Sequence, residues 1–145
     1  MTEARTLPDD VRDLLAKPNP AVITTLGKDG RPVSVATWYV LDPSTGPGGR
    51  ADRILVNMDE GRKRLEHIRN DPRVSITVLG SEDWYHHVTL RGRIVEINEN
   101  ALDDIDRIST HYTGQRYGDR ERGRVSAWIE VDSWYSWAIN RPWAA

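Results

Sequence analysis

The 145-residue chain contains no cysteine. That excludes disulfide staples, thiolate metal sites and cysteine nucleophiles together, and it fits a reducing compartment. Phenylalanine is also missing, so six tryptophans and five tyrosines carry all the aromatic surface. Four of the tryptophans fall in the last eighteen residues, which marks the C-terminal segment for packing, against the chain itself or a partner. Lysine is scarce too, occurring only as Lys17, Lys28 and Lys63, with arginine supplying the remaining positive charge. There is no excess of charge of either sign: the formal net charge is −2, with a pI near 6.1. A protein that binds nucleic acid by neutralising many phosphates is therefore disfavoured, and an RNA-binding small barrel has only its aromatic strands in its favour. The polar, acidic opening "MTEARTLPDDVRDLL" has no basic region followed by an apolar run, so we expect a soluble cytoplasmic protein without signal peptide or membrane anchor.

Catalytic signatures are missing as well. No G-x-S-x-G, H-E-x-x-H or G-x-x-x-x-G-K-[ST] occurs, which leaves serine hydrolase, zinc protease and P-loop readings without their motifs. His86 and His87 are adjacent, so on a strand they point to opposite faces and cannot share one metal. Asp103, Asp104 and Asp106 read as the solvated face of a helix.

What is present has one domain's length and a β-rich pattern. Leu7, Val11, Leu14 and Leu15 recur at helical spacing, with Thr6 as a candidate cap and Pro18 as a stop. "AVITTL" (Ala21 to Leu26) and "PVSVATWYVL" (Pro32 to Leu41) are β-branched and aromatic runs joined by the turn "GKDG", and predict a hairpin. A loop from Asp42 to Asp52 leads to the strand "RILVNM", then to a helix with Leu65 and Ile68 on its apolar face, stopped by "NDP". "RVSITVLG" and "HHVTLRGRIVEI" predict two more strands. Leu102, Ile105, Ile108 and Tyr112 mark a further helix, and after a loop from Thr113 to Gly123 "VSAWIEV" and "SWYSWAI" predict two closing strands. Six or seven antiparallel strands and about three helices, with no βαβ alternation and no repeat, suit a small barrel with helical insertions over residues 1–145.

One stretch carries chemistry. In "DEGRKR" three cations, Arg62, Lys63 and Arg64, stand where a strand ends and a helix begins. Taking Asp59 as the N-cap puts Arg62 and Lys63 in the first turn, where the macrodipole disfavours each cation by about 0.3–1 kcal/mol. Free backbone N–H groups point the same way, so the group reads as an anion pocket, with Arg64 turned to solvent. The alternative is a pair of surface i,i+4 bridges, Asp59 with Lys63 and Glu60 with Arg64, worth roughly 0.2–0.5 kcal/mol each.

The order "GRPVSVATWYV", loop, "RILVNMDEGRKRLEHIRNDPRVSITV", "HHVTLRGRIVEI" resembles the pyridoxamine 5′-phosphate oxidase-like superfamily, whose fold is the FMN-binding split β-barrel. The resemblance covers residues 20–98 well and the remainder by strand pattern. It implies that Arg62 and Lys63 hold a cofactor phosphate, with Val56 and Asn57 at the preceding strand end. It places the cofactor ring against Val35, Ala36, Thr37 and Trp38, brings His87 to the cofactor as the polar residue five positions before Gly92, and assigns Trp134 to an aromatic given across a homodimer interface. Core or interface packing is the plain alternative for both tryptophans. The oxidase's ring-strand arginine and lysine are replaced by Val35 and Val40. Apart from that departure, "DG.P", a tryptophan near the end of the second strand, "RK..L..I..DPRVS..V" and "V...G" resemble the flavin/deazaflavin branch more than the vitamin-B6 oxidase, and several members of that branch use coenzyme F420. The implied protein is a homodimeric F420-dependent oxidoreductase acting on a conjugated or unsaturated small organic substrate, with its cofactor at the subunit interface. Alternatives are an FMN-dependent enzyme or a non-catalytic flavin- or haem-binding protein. The cofactor supplies the reactive chemistry in such proteins, which accounts for the missing catalytic motif; Tyr39, His86 and His87 are candidate proton donors.

Overall fold

Seven antiparallel strands form one sheet in the order β2-β1-β5-β6-β7-β4-β3, seen in a computed structural model that describes residues 6–137. Helix α1 (Asp9–Leu15) precedes β1 (Ala21–Leu26) and β2 (Pro32–Thr37); β3 (Val40–Asp42) and β4 (Arg53–Asp59) follow. Helix α2 (Lys63–Asn70) leads to β5 (Arg73–Leu79) and β6 (His87–Asn98), and α3 (Leu102–Thr113) to β7 (Arg124–Trp137).

The two outermost strands, β2 and β3, are consecutive in the chain and separated only by Trp38 and Tyr39. Three Cα–Cα steps of about 3.8 Å cannot bridge more than about 11 Å. The sheet must therefore curl until its edges meet at that corner, which is the closure of a split barrel. The expected strand "PVSVATWYVL" is thus two strands. Tyr39 causes the break: its side chain is fully buried, and its hydroxyl donates to the Leu15 carbonyl at 2.9 Å and lies 3.2 Å from that of Lys17.

The two closing strands are in turn one. β7 runs from Arg124 to Trp137, and Asp132 is an extra residue in it, because Val131 pairs with Gly92 while Ser133 pairs with Arg91. A bulge absorbs one residue without ending the ladder. Gly92 is required there, since a Cβ would stand 2.0 Å from the Glu130 carbonyl oxygen. The end of "SWYSWAI", and Trp143, lie outside the described residues.

Alternation sets the core. Ala21, Ile23 and Thr25 of β1 and Val74, Ile76 and Val78 of β5 are buried while the residues between them are less so, the two-residue period of a half-buried strand. Strand β4 is buried at five successive residues because the barrel interior takes one face and α3 the other, through Leu55, Ile105, Ile108 and Trp128. Strand β2 departs from this scheme. Val33 and Val35 register with Thr25 and Ile23, which places them on the core face, yet each is 45% exposed. The barrel wall is uncovered there.

Candidate functional site

Helix α2 opens beside that uncovered wall. Asp59 does not cap it. One Asp59 carboxylate oxygen accepts the Gly61 N–H at 2.9 Å and the other pairs with Arg122 at 3.0 Å, which fixes a turn one step earlier and holds the Asp59 carboxyl below the usual carboxylate range. The helix therefore begins at Lys63, with Arg62 in the cap position and no side chain capping it. Arg62 N–H donates to the Asp59 carbonyl and Leu65 N–H to the Arg62 carbonyl, each at 3.1 Å, so among the described residues it is the Lys63 and Arg64 N–H groups that remain available to a ligand.

The i,i+4 bridges of the alternative reading do not form: Lys63 reaches Glu66 at 3.5 Å on the surface, and Asp59 is taken by Arg122. Among the described residues Arg62 and Arg64 have no ion-pair partner. Arg64 is also turned inward rather than to solvent. Its Nε is buried without a hydrogen-bond partner, and burial, then Arg62, then Arg124, push its guanidinium below its ordinary pKa. Burying a cation without an anion is costly unless something else neutralises it.

Arg124 is the residue the sequence reading did not single out. It is only 8% exposed, it donates from Nε to Asn57 Oδ1 at 2.9 Å, and its guanidinium lies 4.7 Å from the centre of the Tyr117 ring. No carboxylate pairs with it directly among the described residues. Thr25 and His67 were also missed, and they join through a 2.9 Å contact between Thr25 Oγ1 and His67 Nδ1. His67 follows Lys63 by four residues, so helical spacing alone could have placed it on the same face.

These groups line one cavity of about 450 Å³, whose walls are Arg62, Lys63, Arg64 and His67 from α2, Thr25 from β1, and Val33, Val35 and Ala36 from β2. A second cavity of about 600 Å³ shares Ala36 and continues along β2 to Thr37 and Trp38, with Tyr112 and Tyr117 opposite. The structure thus brings Val35, Ala36, Thr37, Trp38, Arg62 and Lys63 onto one continuous surface. It does not bring the other expected site residues there. Val56 is fully buried in the core. Asn57 is committed to the Ala101 carbonyl, Ser126 and Arg124. His87 pairs with Leu79 and Trp137, at the end of the sheet away from α2, and its Nδ1 is 2.9 Å from the Tyr85 carbonyl oxygen. Trp134 pairs with Leu90 and packs against the core.

Known structures share the fold. A structure named as an F420 reductase superposes with a TM-score of 0.75 over 89% of this chain and 98% of that chain, at 19% identity. A conserved hypothetical protein from Mycobacterium tuberculosis gives 0.66 over 96% and 91%, at 21% identity. An FAD-binding protein from Mesorhizobium loti gives 0.58 over 90% and 94%, at 21%. At these identities the likeness is one of fold, a split barrel. The family model described as pyridoxamine 5′-phosphate oxidase matches residues 7–138, and the chain belongs to that family. No curated protein matches the chain in sequence. Among the described residues no helix is long and apolar enough to cross a membrane.

Proposed function

We propose that this protein is a coenzyme F420-dependent reductase, a cytoplasmic homodimer whose cofactor lies at the subunit interface and whose substrate is a conjugated or unsaturated small organic molecule. The observation that carries the reading is the pairing of an unpartnered cation cluster with an uncovered apolar strip. Arg62, Lys63 and the half-buried Arg64 face a cavity whose other wall is Val33, Val35 and Ala36. That combination suits a ligand with an anionic end and a long, partly apolar body. Neither a small inorganic anion nor a neutral hydrophobe would use both walls.

When bound, a reduced deazaflavin supplies hydride; the protein's part is binding, orientation and exclusion of water. The Arg62 fork and Lys63 ammonium hold the phosphate together with the Lys63 and Arg64 N–H groups of α2. Val35, Ala36 and Thr37 support the ring, and Trp38 closes the far end of the strip. Val35 offers pyridoxamine phosphate no cation on β2, which argues against vitamin-B6 oxidation, whereas Val40 is buried on β3 against α3 and does not line that cavity. His87 and Trp134 would reach such a site only from a second subunit.

Titration of the purified protein with F420 and with FMN tests the reading. We expect saturable F420 binding, followed by reduction of enones, quinones or nitro compounds when reduced F420 is supplied. Tight FMN binding without F420 affinity would reject the cofactor choice, and binding without turnover would make the protein a carrier.

A further inference from the structure

We infer that a third cavity, between α1 and α3 with β3 as its floor, binds a small zwitterion whose ammonium and carboxylate stand at opposite ends of an apolar body. That is the chemistry of a free dipeptide or an ω-amino acid. The cavity shares no lining residue with the two along β2, so the inference goes beyond the cofactor reading and does not rest on it.

At about 790 Å³ the cavity falls within the range of roughly 300–1,000 Å³ usual for small-molecule sites. Asp9, Arg12 and Asp13 of α1 form one wall, and Arg107, Thr110 and His111 of α3 form the other. Helical spacing builds both, because residues three and four apart share a face. The floor between them is apolar, with Val40, Leu41 and Pro43. Strand β3 begins immediately after Tyr39, whose hydroxyl is bonded to the Leu15 carbonyl at the end of α1, so the floor and the α1 wall are tied together.

The two walls carry opposite charge and do not quench one another. Among the described residues Asp9 and Asp13 have no ion-pair partner, the His111 ring makes no hydrogen bond, and no ion pair joins α1 to α3. Arg12 does not neutralise its neighbours on α1. Its Nε lies 3.6 Å from Asp52 Oδ2, and Asp52 is a buried acid that also accepts the Leu7 and Ser44 N–H groups, so Arg12 is held as its counter-charge. Arg107 has capacity to spare. Its partner Asp42, at 3.2 Å, also serves Arg50 at 3.0 Å and Arg53 at 3.6 Å, one carboxylate for three guanidiniums.

These groups select the ligand. A simple anion is repelled by Asp9 and Asp13, and a simple cation by Arg107, while a neutral compound leaves both walls unused. A zwitterion answers both, its ammonium on the two aspartates and its carboxylate on the Arg107 fork and the Thr110 hydroxyl. Its middle then covers Val40, Leu41 and Pro43. The facing charges stand beyond ion-pair reach of each other, so a ligand with its two charges on one carbon meets only one wall, and a ligand with separated ends meets both.

Calorimetric titration of the purified protein at low salt with leucyl-leucine, with its N-acetyl and C-terminal amide derivatives, and with ε-aminocaproate tests the site. Leucyl-leucine or ε-aminocaproate should bind saturably, the tighter of the two marking the ligand as a peptide or an ω-amino acid. Removing either charge from the dipeptide should weaken it about threefold or more, the size expected of an exposed ion pair. The Asp9→Asn, Asp13→Asn double variant should abolish the difference between free and acetylated dipeptide, and Arg107→Gln the difference between free acid and amide. These side chains are exposed, and a thermal melt confirms that each variant is folded. The Arg62→Ala, Lys63→Ala double variant should bind the dipeptide as the parent does, so failure of the cofactor clamp and failure of this site are read separately. Absence of saturable binding by either zwitterion, equal affinity for charged and blocked dipeptides, or loss of dipeptide binding in the α2 double variant would each overturn the assignment.

Discussion

Replacing Arg62 and Lys63 by alanine separates a cofactor clamp from a helix scaffold. A charge-assisted hydrogen bond contributes about 1.5–3 kcal/mol when sheltered. Here both side chains are exposed, Lys63 86% so, and solvent screening brings the figure toward about 1–1.5 kcal/mol each. The double variant should thus lose about 2–3 kcal/mol of binding, roughly 30- to 150-fold in Kd at about 1.4 kcal/mol per decade. Stability should hardly change. Removing a cation from the start of α2 relieves an unfavourable dipole interaction, and removing the exposed Lys63–Glu66 pair costs a similar few tenths of a kcal/mol. For a domain of this size that corresponds to a melting shift within about 2 °C. Equilibrium dialysis against F420 and FMN at two salt concentrations, with a thermal melt of the cofactor-free protein, reads both quantities. Retained affinity together with a melting temperature lowered by more than about 4 °C would refute the clamp and leave the pair as scaffolding.

Three further outcomes are expected. Arg64→Met removes a partly buried guanidinium whose Nε has no partner; the cofactor-free protein should melt about 2–3 °C higher, for about 1 kcal/mol gained, while cofactor affinity falls about tenfold. Asn57→Leu leaves Arg124 buried without its 2.9 Å acceptor and the Ala101 carbonyl without its donor; a loss of about 2–4 kcal/mol should appear in urea unfolding as a lower midpoint with an unchanged slope. Tyr39 and Tyr112 both have phenol pKa values raised by burial, Tyr112 to about 12. A raised folded pKa means that the folded state holds the proton longer, so the contribution is complete below the ordinary phenol value near 10 and is lost as pH climbs through the folded value. Stability should fall steeply above about pH 10, and Tyr39→Phe should flatten that fall while lowering stability at neutral pH by about 1 kcal/mol; an unchanged alkaline slope would show that Tyr39 is not the group responsible.

Local chemistry was legible in the sequence where the signal was local. The first hairpin, the α2 and α3 apolar faces and the alternation of β1 and β5 follow from residue spacing and turn composition, and they lie where that spacing puts them. The errors fall where a distant contact decides. Trp38 and Tyr39 are good strand formers, and nothing near them in sequence announces that the Leu15 and Lys17 carbonyls will capture the Tyr39 hydroxyl and break the strand. Asp132 and Ser133 look like a turn, and only Gly92 across the ladder makes room for a bulge instead. Asp59 had the right residue type for a cap, but Arg122, sixty-three positions on, competes for its oxygens. The inward turn of Arg64 was hidden because a run of three cations looks alike from the sequence, while the fold buries one of them beside Arg124.

The conflict at the start of α2 is deeper in the folded chain than in the sequence. Each feature taken alone is unfavourable: an uncapped helix, cations at the positive end of its dipole, a half-buried arginine with an unpaired nitrogen, and valines on a core face left open to water. Helices α1 and α3 also lack a side-chain cap, and Arg12 and Arg53 also bury an Nε without a hydrogen-bond partner, so what sets the start of α2 apart is that all four features meet in one cavity. A single ligand relieves all four. Its anion answers the dipole and the cations, and its apolar body covers Val33 and Val35. The cofactor then becomes the missing side of the barrel, and binding should raise the melting temperature in proportion to the logarithm of free ligand over Kd. Such a rise with F420 that vanishes in the Arg62→Ala, Lys63→Ala variant would tie the defects to one another; a rise that persists in the variant would place the ligand elsewhere.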